Sequence, residues 1–332
     1  MRLIKTEDAV GHVLCHDMTQ IIKDQYKDAR FRKGHVVTEE DIPVLLSMGK
    51  EHLYVWEMTP GMVHENDAAE RLLALCGQEN MIRSGVKEGK IELKAACDGV
   101  FLVDSARLVA VNSQDEVMIA TRKGGMAVRE GDKLAGMRVI PLIIEEEKLR
   151  KAEQAAGDKP LLSLKPYVRK TACIVATGGE VKKGLIKDTF TPVVIDKLKT
   201  YGIETLEVVY SGDGVENVRD AVLTMREKKP DMILCTGGMS VDPDDNTPGG
   251  IKAAGANIIA YGAPVLPGAM FLLGYFDDGM PVMGLPGCVM YAGATVFDLV
   301  LPKIAADVPV TRADLAALGE GGLCLGCKPC YY

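Results

Sequence analysis

The hydrophobic positions change period several times along this chain, and each change marks an element. In the C-terminal half, the run 171–177 (Thr-Ala-Cys-Ile-Val-Ala-Thr) is short, apolar and partly β-branched. That pattern predicts a strand buried on both faces. Val194, Leu198 and Tyr201 then recur at helical spacing between Thr191-Pro192, a start signal, and Gly202, a stop. A strand over 203–209 follows, then a helix over 215–228 with Val215, Val218, Val222 and Met225 on one face, and a strand over 232–235. Ile258-Ile259 and Val282-Met283 predict further short strands, and a last helix is expected from near Pro286-Gly287 to about Ile304. Strand–helix–strand units of these lengths need right-handed crossovers, which predicts a mostly parallel sheet covered by helices on both faces.

The N-terminal half is less regular. Ile42, Leu45 and Leu46 predict a helix over 39–48 stopped by Gly49, and 53–56 reads as a strand. An amphipathic helix is expected over 64–76, entered through Thr59-Pro60. Short strands between 90 and 144 are separated by Gly124-Gly125, Gly131-Asp132 and Gly136, suiting a smaller α+β or barrel-like piece. The charged stretch 145–151 and Gly157-Asp158-Lys159-Pro160 suggest a solvated helix end and linker. The expected division is therefore an accessory segment over 1–59, a small domain over 60–150, a linker over 151–167, an α/β domain over 168–306 and a cysteine-rich tail over 307–332.

Composition narrows the function classes. The 332 residues are 47% hydrophobic, enough for sizeable cores, and carry 39 basic against 46 acidic side chains, a formal charge of −7. Such a surface repels phosphate backbones, so nucleic acid is not the expected partner. No run of about 18 apolar residues occurs, so no membrane span is expected, and a cytoplasmic protein is. Nine cysteines, an odd count, suit reduced thiols. Cys173 and Cys235 lie inside apolar runs and act as small hydrophobes.

Two strand ends are nearly identical: Thr177-Gly178-Gly179-Glu180 and Thr236-Gly237-Gly238-Met239-Ser240. A third apolar stretch ends in Gly284-Leu285-Pro286-Gly287. In open parallel sheets, ligands bind beyond the carboxyl ends of the strands, where glycine lets backbone N–H groups approach them. Three such turns on one sheet edge predict a phosphate-accepting cleft. Asp242, Asp244 and Asp245 follow the second turn, ahead of Thr247-Pro248. Three carboxylates this close repel one another unless a cation or proton joins them, and Mg²⁺ suits such oxygen ligands together with substrate phosphates. The alternative is an acidic turn in which Asp245 or Thr247 caps the next helix.

These motifs resemble the molybdopterin-binding fold of molybdenum-cofactor biosynthesis over about 170–305. That family includes molybdopterin adenylyltransferases and molybdenumtransferases, and its fold also occurs in competence-damage-type proteins. The resemblance implies a three-layer α/β/α domain whose loops hold the pterin phosphate, with molybdopterin as ligand and ATP or molybdate as co-substrate. It places Asp188 and Asp245 at the two acidic positions near the metal or activated phosphate, and Ser240 facing the pterin. It implies a molybdoenzyme or cofactor-assembly protein as partner, and a homo-oligomer. A weaker likeness links 31–38 and 45–55 to an accessory segment of the molybdenumtransferases. The departures are specific. Gly178-Gly179-Glu180 keeps only the glutamate of a Gly-Asp-Glu loop. Pro267-Gly268-Ala269-Met270 lacks the family lysine, and Leu285-Pro286-Gly287-Cys288-Val289 lacks the asparagine. A non-catalytic pterin carrier or sensor and a nucleotide-processing enzyme are the alternatives.

Lys182, Lys183 and Lys187 follow the first turn and could offset ligand charge, or form a solvated face. The five histidines all precede residue 65 and read as structural or surface groups. Cys324, Cys327 and Cys330 form Cys-x-x-Cys-x-x-Cys, three thiolates where zinc or an iron–sulfur cluster wants four, or an oxidisable tail.

Overall fold

The computed structural model describes residues 2–22, 26–55, 60–240, 242 and 245–326. It comprises two compact units, one of 1–96, 103–122 and 131–163, the other of 97–102, 123–130 and 164–332.

The second unit is built on a six-stranded sheet. Its elements are β1 (Thr171–Thr177), α1 (Phe190–Lys199), β2 (Glu204–Ser211), α2 (Val215–Glu227) and β3 (Met232–Thr236). They continue with α3 (Thr247–Ala253), β4 (Asn257–Tyr261), β5 (Leu272–Tyr275), β6 (Pro281–Leu285), α4 (Val296–Ala305) and α5 (Arg312–Ala317). The spatial order is β2-β1-β3-β6-β5-β4. The first four strands run parallel, and β5 lies antiparallel to both β6 and β4.

Period-two burial explains the layering. Ala172, Ile174, Met232, Leu234, Met283 and Leu285 pack with Val194 and Leu198 of α1 and Phe297 and Leu301 of α4. The intervening Cys173, Val175, Ile233, Cys235 and Val282 pack with Val218, Val222 and Met225 of α2 and Ile251 of α3. Helices therefore cover both faces, the three-layer α/β/α arrangement. Each fully buried aliphatic side chain contributes roughly 1.5–3 kcal/mol. The Cys235 thiol is pushed up to about 12 by burial, as befits a packing group rather than a nucleophile.

Two features depart from the sequence reading. The antiparallel β5 has no signal distinguishing it from the short apolar runs beside it. The last helix does not start at Pro286-Gly287: a single 3-10 turn, Gly287–Met290, comes first, and α4 begins only at Val296. The true start is a capping box, in which Thr295 N–H and Oγ1 donate to Asp298 Oδ2 at 2.7 and 3.0 Å. Asp298 also pairs with Lys197 of α1.

In the first unit, Arg2–Lys5 pairs antiparallel with His52–Val55, and Met18–Ile22 pairs antiparallel with Tyr26–Phe31. Helix Asp41–Ser47 closes a small core around Ile4, Leu14, Phe31, Leu45 and Leu53. A four-stranded antiparallel sheet is made from Met81–Arg83, Ile91–Ala95, Lys133–Val139 and Val117–Thr121. Helix Glu65–Cys76 is capped by His64, whose ring accepts from Asn66 N–H; Trp56 and Thr59 lie outside the described residues. Where the sequence suggests a linker over 151–167, the chain forms the end of helix Glu146–Ala156 and strand Leu162–Pro166.

Replacing Thr295 with Ala removes half of the capping box. The expected cost is about 1 kcal/mol of unfolding free energy, read as a lower denaturant midpoint with an unchanged slope. An unchanged midpoint contradicts this placement of the helix start.

Candidate functional site

Strands β1, β3 and β6 are neighbours and parallel. The glycine turns that follow Thr177, Thr236 and Leu285 therefore leave the same edge of the sheet side by side. The middle turn is locked from below by two threonines. Thr177 Oγ1 donates to Thr236 O at 2.9 Å and Thr247 Oγ1 to Gly237 O at 2.9 Å, with the two hydroxyls 3.1 Å apart. Thr247 N–H closes the loop on Gly238 O at 3.1 Å. Two hydroxyl protons thus serve three contacts, and Thr247 is buried, so this knot is desolvated.

The knot demands glycine. Gly237 and Gly238 adopt φ of +81° and +58°, and an added Cβ would meet Thr177 O at 2.3 Å or Thr247 Oγ1 at 2.5 Å. Met239 packs beneath β6, where only a glycine at 284 leaves room for its sulfur.

Above the knot lies a cleft of about 480 Å³ lined by Gly237, Gly238, Met239, Ser240, Asp245, Ala269, Met270, Pro286, Gly287, Cys288, Met290 and Tyr291. Ser240 N–H donates to Asp245 Oδ2 at 2.8 Å, and Tyr261 Oη donates to Met239 O at 3.0 Å. Burial, with the Asp245 charge second, pushes the Tyr261 hydroxyl up, so it stays a neutral donor. Among the described residues, the N–H groups of Gly238, Met239 and Gly287 donate to no protein acceptor, and that of Cys288 to none but its own thiol. Unpaired backbone donors on two adjoining turns form a partial positive surface suited to an anionic oxygen. No lysine, arginine or histidine is among the described residues that line the cleft.

Several sequence candidates therefore come together: Gly237, Gly238, Met239, Ser240, Asp245, Pro286 and Gly287 line one cleft, with Thr236 and Thr247 beneath it. The first turn stands differently. Gly178 N–H donates to Ser211 O at 3.2 Å and Gly179 N–H to Asp213 Oδ2 at 3.0 Å. Its backbone donors are committed to the protein, although Thr177 supports the neighbouring turn. Asp188 is also engaged. Its Oδ1 accepts from the Phe190 and Thr191 N–H groups at 2.9 and 3.0 Å, capping α1. Burial works to raise its pKa, but the hydrogen bonds from Thr191 and Phe190 outweigh it and hold the carboxyl below its ordinary value. Its neighbour Thr189 donates to Met290 Sδ at 3.1 Å, so the Asp188 loop touches the cleft wall.

Asp242 is exposed, its carbonyl accepting from Asp245 N–H at 2.9 Å. Asp244, Cys327, Cys330 and the side chain of Glu180 lie outside the described residues. Among the described residues, no three His, Cys, Asp or Glu side chains are placed to hold a metal ion. Lys182, Lys183 and Lys187 are exposed and line no part of the cleft. His64 donates Nε2–H to Cys15 O at 2.6 Å, the structural role expected of it. Cleft residues that the sequence did not single out as a site are Met290 and Tyr291, for which no motif was available, and Ala269, Met270 and Cys288, which entered only as departures from the family motifs.

Comparison with known proteins bears on this cleft. Residues 173–306 match a family described as a probable molybdopterin binding domain. By sequence, that segment falls within this family. Residues 3–57 separately match a domain family of unknown function. A CinA-like protein of Mycobacterium tuberculosis is 33% identical over 76 residues, 23% of this chain and 18% of the relative. One from Petrotoga mobilis is 32% identical over 76 residues, 23% of this chain and 19% of the relative. The chain therefore matches under a fifth of these relatives' length. Among solved structures, the molybdopterin biosynthesis enzyme MoaB from Thermus thermophilus aligns with TM-score 0.36 and 16% identity, covering 43% of this chain and 99% of that one. CinA from Thermoplasma acidophilum aligns with TM-score 0.35 and 18% identity, covering 41% and 98%. Among the described residues, no helix is long and apolar enough to cross a membrane.

Within residues 173–306, Asp188 has a depressed pKa, so it stabilises the fold above the ordinary carboxylate pKa and loses this effect as pH falls through its lower folded value. Asp188→Ala is expected to cost about 1 kcal/mol at neutral pH. The gap to the parent should narrow as denaturation is repeated at successively more acidic pH. A gap independent of pH contradicts the capping role.

Proposed function

We propose that the cleft binds molybdopterin or a related phosphorylated pterin, and that the protein acts in molybdenum-cofactor assembly or handling. The observation that carries this reading is the set of four N–H groups, on Gly238, Met239, Gly287 and Cys288, that find no acceptor on another residue around one cleft. A phosphate replaces water on such donors with little reorganisation, because the threonine knot already fixes the middle turn. Ala269, Met270, Met290 and Tyr291 supply apolar and aromatic surface for a flat ring.

The chemistry done on that ligand follows from the charges. Ala269 and Met270 stand where the related transferases carry a lysine, and Asp245 is the one carboxylate among the described lining residues. The described residues do not by themselves compose a Mg²⁺ site. Asp245 accepts from Ser240 N–H, and its carboxylate disfavours a second anionic group beside it unless a cation joins them. Binding without turnover, as in a carrier or sensor, fits the missing cation better than molybdate insertion does.

The test is purification from a pterin-producing host, followed by oxidation of the bound ligand to its fluorescent form. Fluorescence is expected to copurify in near-stoichiometric amount and to persist in Asp245→Asn, whose amide oxygen can still accept from Ser240. An apo protein that also takes up no added molybdopterin refutes the proposal. A second reading, nucleotide processing, is favoured by the CinA-like matches. Hydrolysis of pyridine nucleotides or ADP-ribose, lost in Asp245→Asn, would establish it in place of the first.

A further inference from the structure

The second glycine turn and another wall of the cleft are joined through one hydroxyl. Tyr261 ends β4, the edge strand separated from β6 by β5. The chain then forms a loop over 262–271 that closes on itself, Gly262 N–H donating to Phe271 O at 2.8 Å and Ala263 N–H to Ala269 O at 2.9 Å. That loop brings Ala269 and Met270 into the cleft lining. Tyr261 Oη reaches from its foot to Met239 O at 3.0 Å. Among the described residues, no other hydrogen bond joins 237–245 to 261–271.

Three successive peptide units of the turn are held by their carbonyls. Gly237 O accepts from Thr247 Oγ1, Gly238 O from Thr247 N–H, and Met239 O from Tyr261 Oη. A trans peptide is planar, with its C=O and N–H directed to opposite sides, so each held carbonyl fixes the N–H that follows it. The first two leave Gly238 and Met239 N–H without a protein acceptor. The third aims Ser240 N–H at Asp245 Oδ2, 2.8 Å away. Thr247 supplies the first two holds from a buried position beneath the turn, whereas Tyr261 supplies the third from a separate strand with 45% of its surface exposed. Its ring is therefore no support of the core, and its hydroxyl has a role apart from packing.

We propose that Tyr261 is a positioning residue of the anion site, its hydroxyl locking the Met239–Ser240 peptide so that the Met239 carbonyl stays turned away from Asp245 and from a bound phosphate. The identity of the ligand rests on the pterin reading; the lock rests on the hydrogen bonds alone. Without the hydroxyl, the peptide can rotate about the single bonds on either side of it. Asp245 then loses the Ser240 N–H, and a carbonyl oxygen turns towards the carboxylate and the ligand. An acceptor facing an anion weakens phosphate binding and leaves contacts to an uncharged ring as they were.

Tyr261→Phe removes the hydroxyl and keeps the ring. In the ligand-free full chain, amide hydrogen exchange at Ser240 is expected to speed up about fivefold, the scale of one net hydrogen bond, while exchange at Thr247 stays as in the parent. Equilibrium titration with fluorescent pterins reads the consequence for binding. Neopterin monophosphate should bind about fivefold more weakly, and neopterin, which lacks the phosphate, within about twofold of the parent. p-Aminophenylalanine incorporated at position 261 returns an N–H donor to the same ring and is expected to restore both exchange and affinity. Cooperative unfolding is measured on each variant to confirm a folded chain. Unchanged Ser240 exchange, equal weakening of both pterins, or no rescue by the amine overturns the lock. If exchange responds as expected but the parent binds neither pterin, the lock stands and the pterin reading fails.

Discussion

The site depends on a single close approach: the Gly237-Gly238 turn pressed against the end of the neighbouring strand. Thr177 and Thr247 hold that turn by their hydroxyls, and backbone atoms lie where any larger residue would need to place a Cβ. Removing either hydroxyl leaves a buried carbonyl with a lost partner, which costs more than a typical exposed hydrogen bond. The same contact aligns the chain so that Ser240 can meet Asp245. Remove it, and neither the unpaired donors nor the acidic loop has a fixed position.

The approach exists because of strand order. With β1, β3 and β6 adjacent and parallel, three turns emerge together, and the middle one rests on its neighbour. Only two of the three present their donors to the cleft. At the first, Asp213 stands on Gly179 N–H where an external anion would otherwise bind. The cleft is thus narrower in charge than in shape: among the described residues its walls carry backbone dipoles and apolar side chains, one carboxylate and no cation. For a chain of net charge −7 this places selectivity in local donors rather than in long-range attraction.

Much of this was legible in the residues themselves. Continuous apolar runs such as 171–177 marked the buried strands, and the repeated Thr-Gly-Gly marked the sheet edge that carries the cleft. What escaped had identifiable causes. The strand Leu272–Tyr275 lacks turn punctuation that would reveal its reversed direction. Pro286-Gly287 looks like a helix start, but the decisive signal was Thr295 with Asp298, nine residues later. Asp188 and Asp245 looked equivalent in sequence, yet one caps a helix and the other faces the cleft. Backbone neighbours decide that difference, and spacing does not record them.

The central claim is that a phosphorylated pterin sits on the Gly237–Ser240 and Pro286–Cys288 turns. A crystal structure of the protein grown with that ligand tests it most directly. The account predicts phosphate oxygens within hydrogen-bond distance of the Gly238, Met239, Gly287 or Cys288 N–H groups, with the threonine knot unchanged. A ligand seated elsewhere on the molecule, with those four donors still facing water, would contradict it.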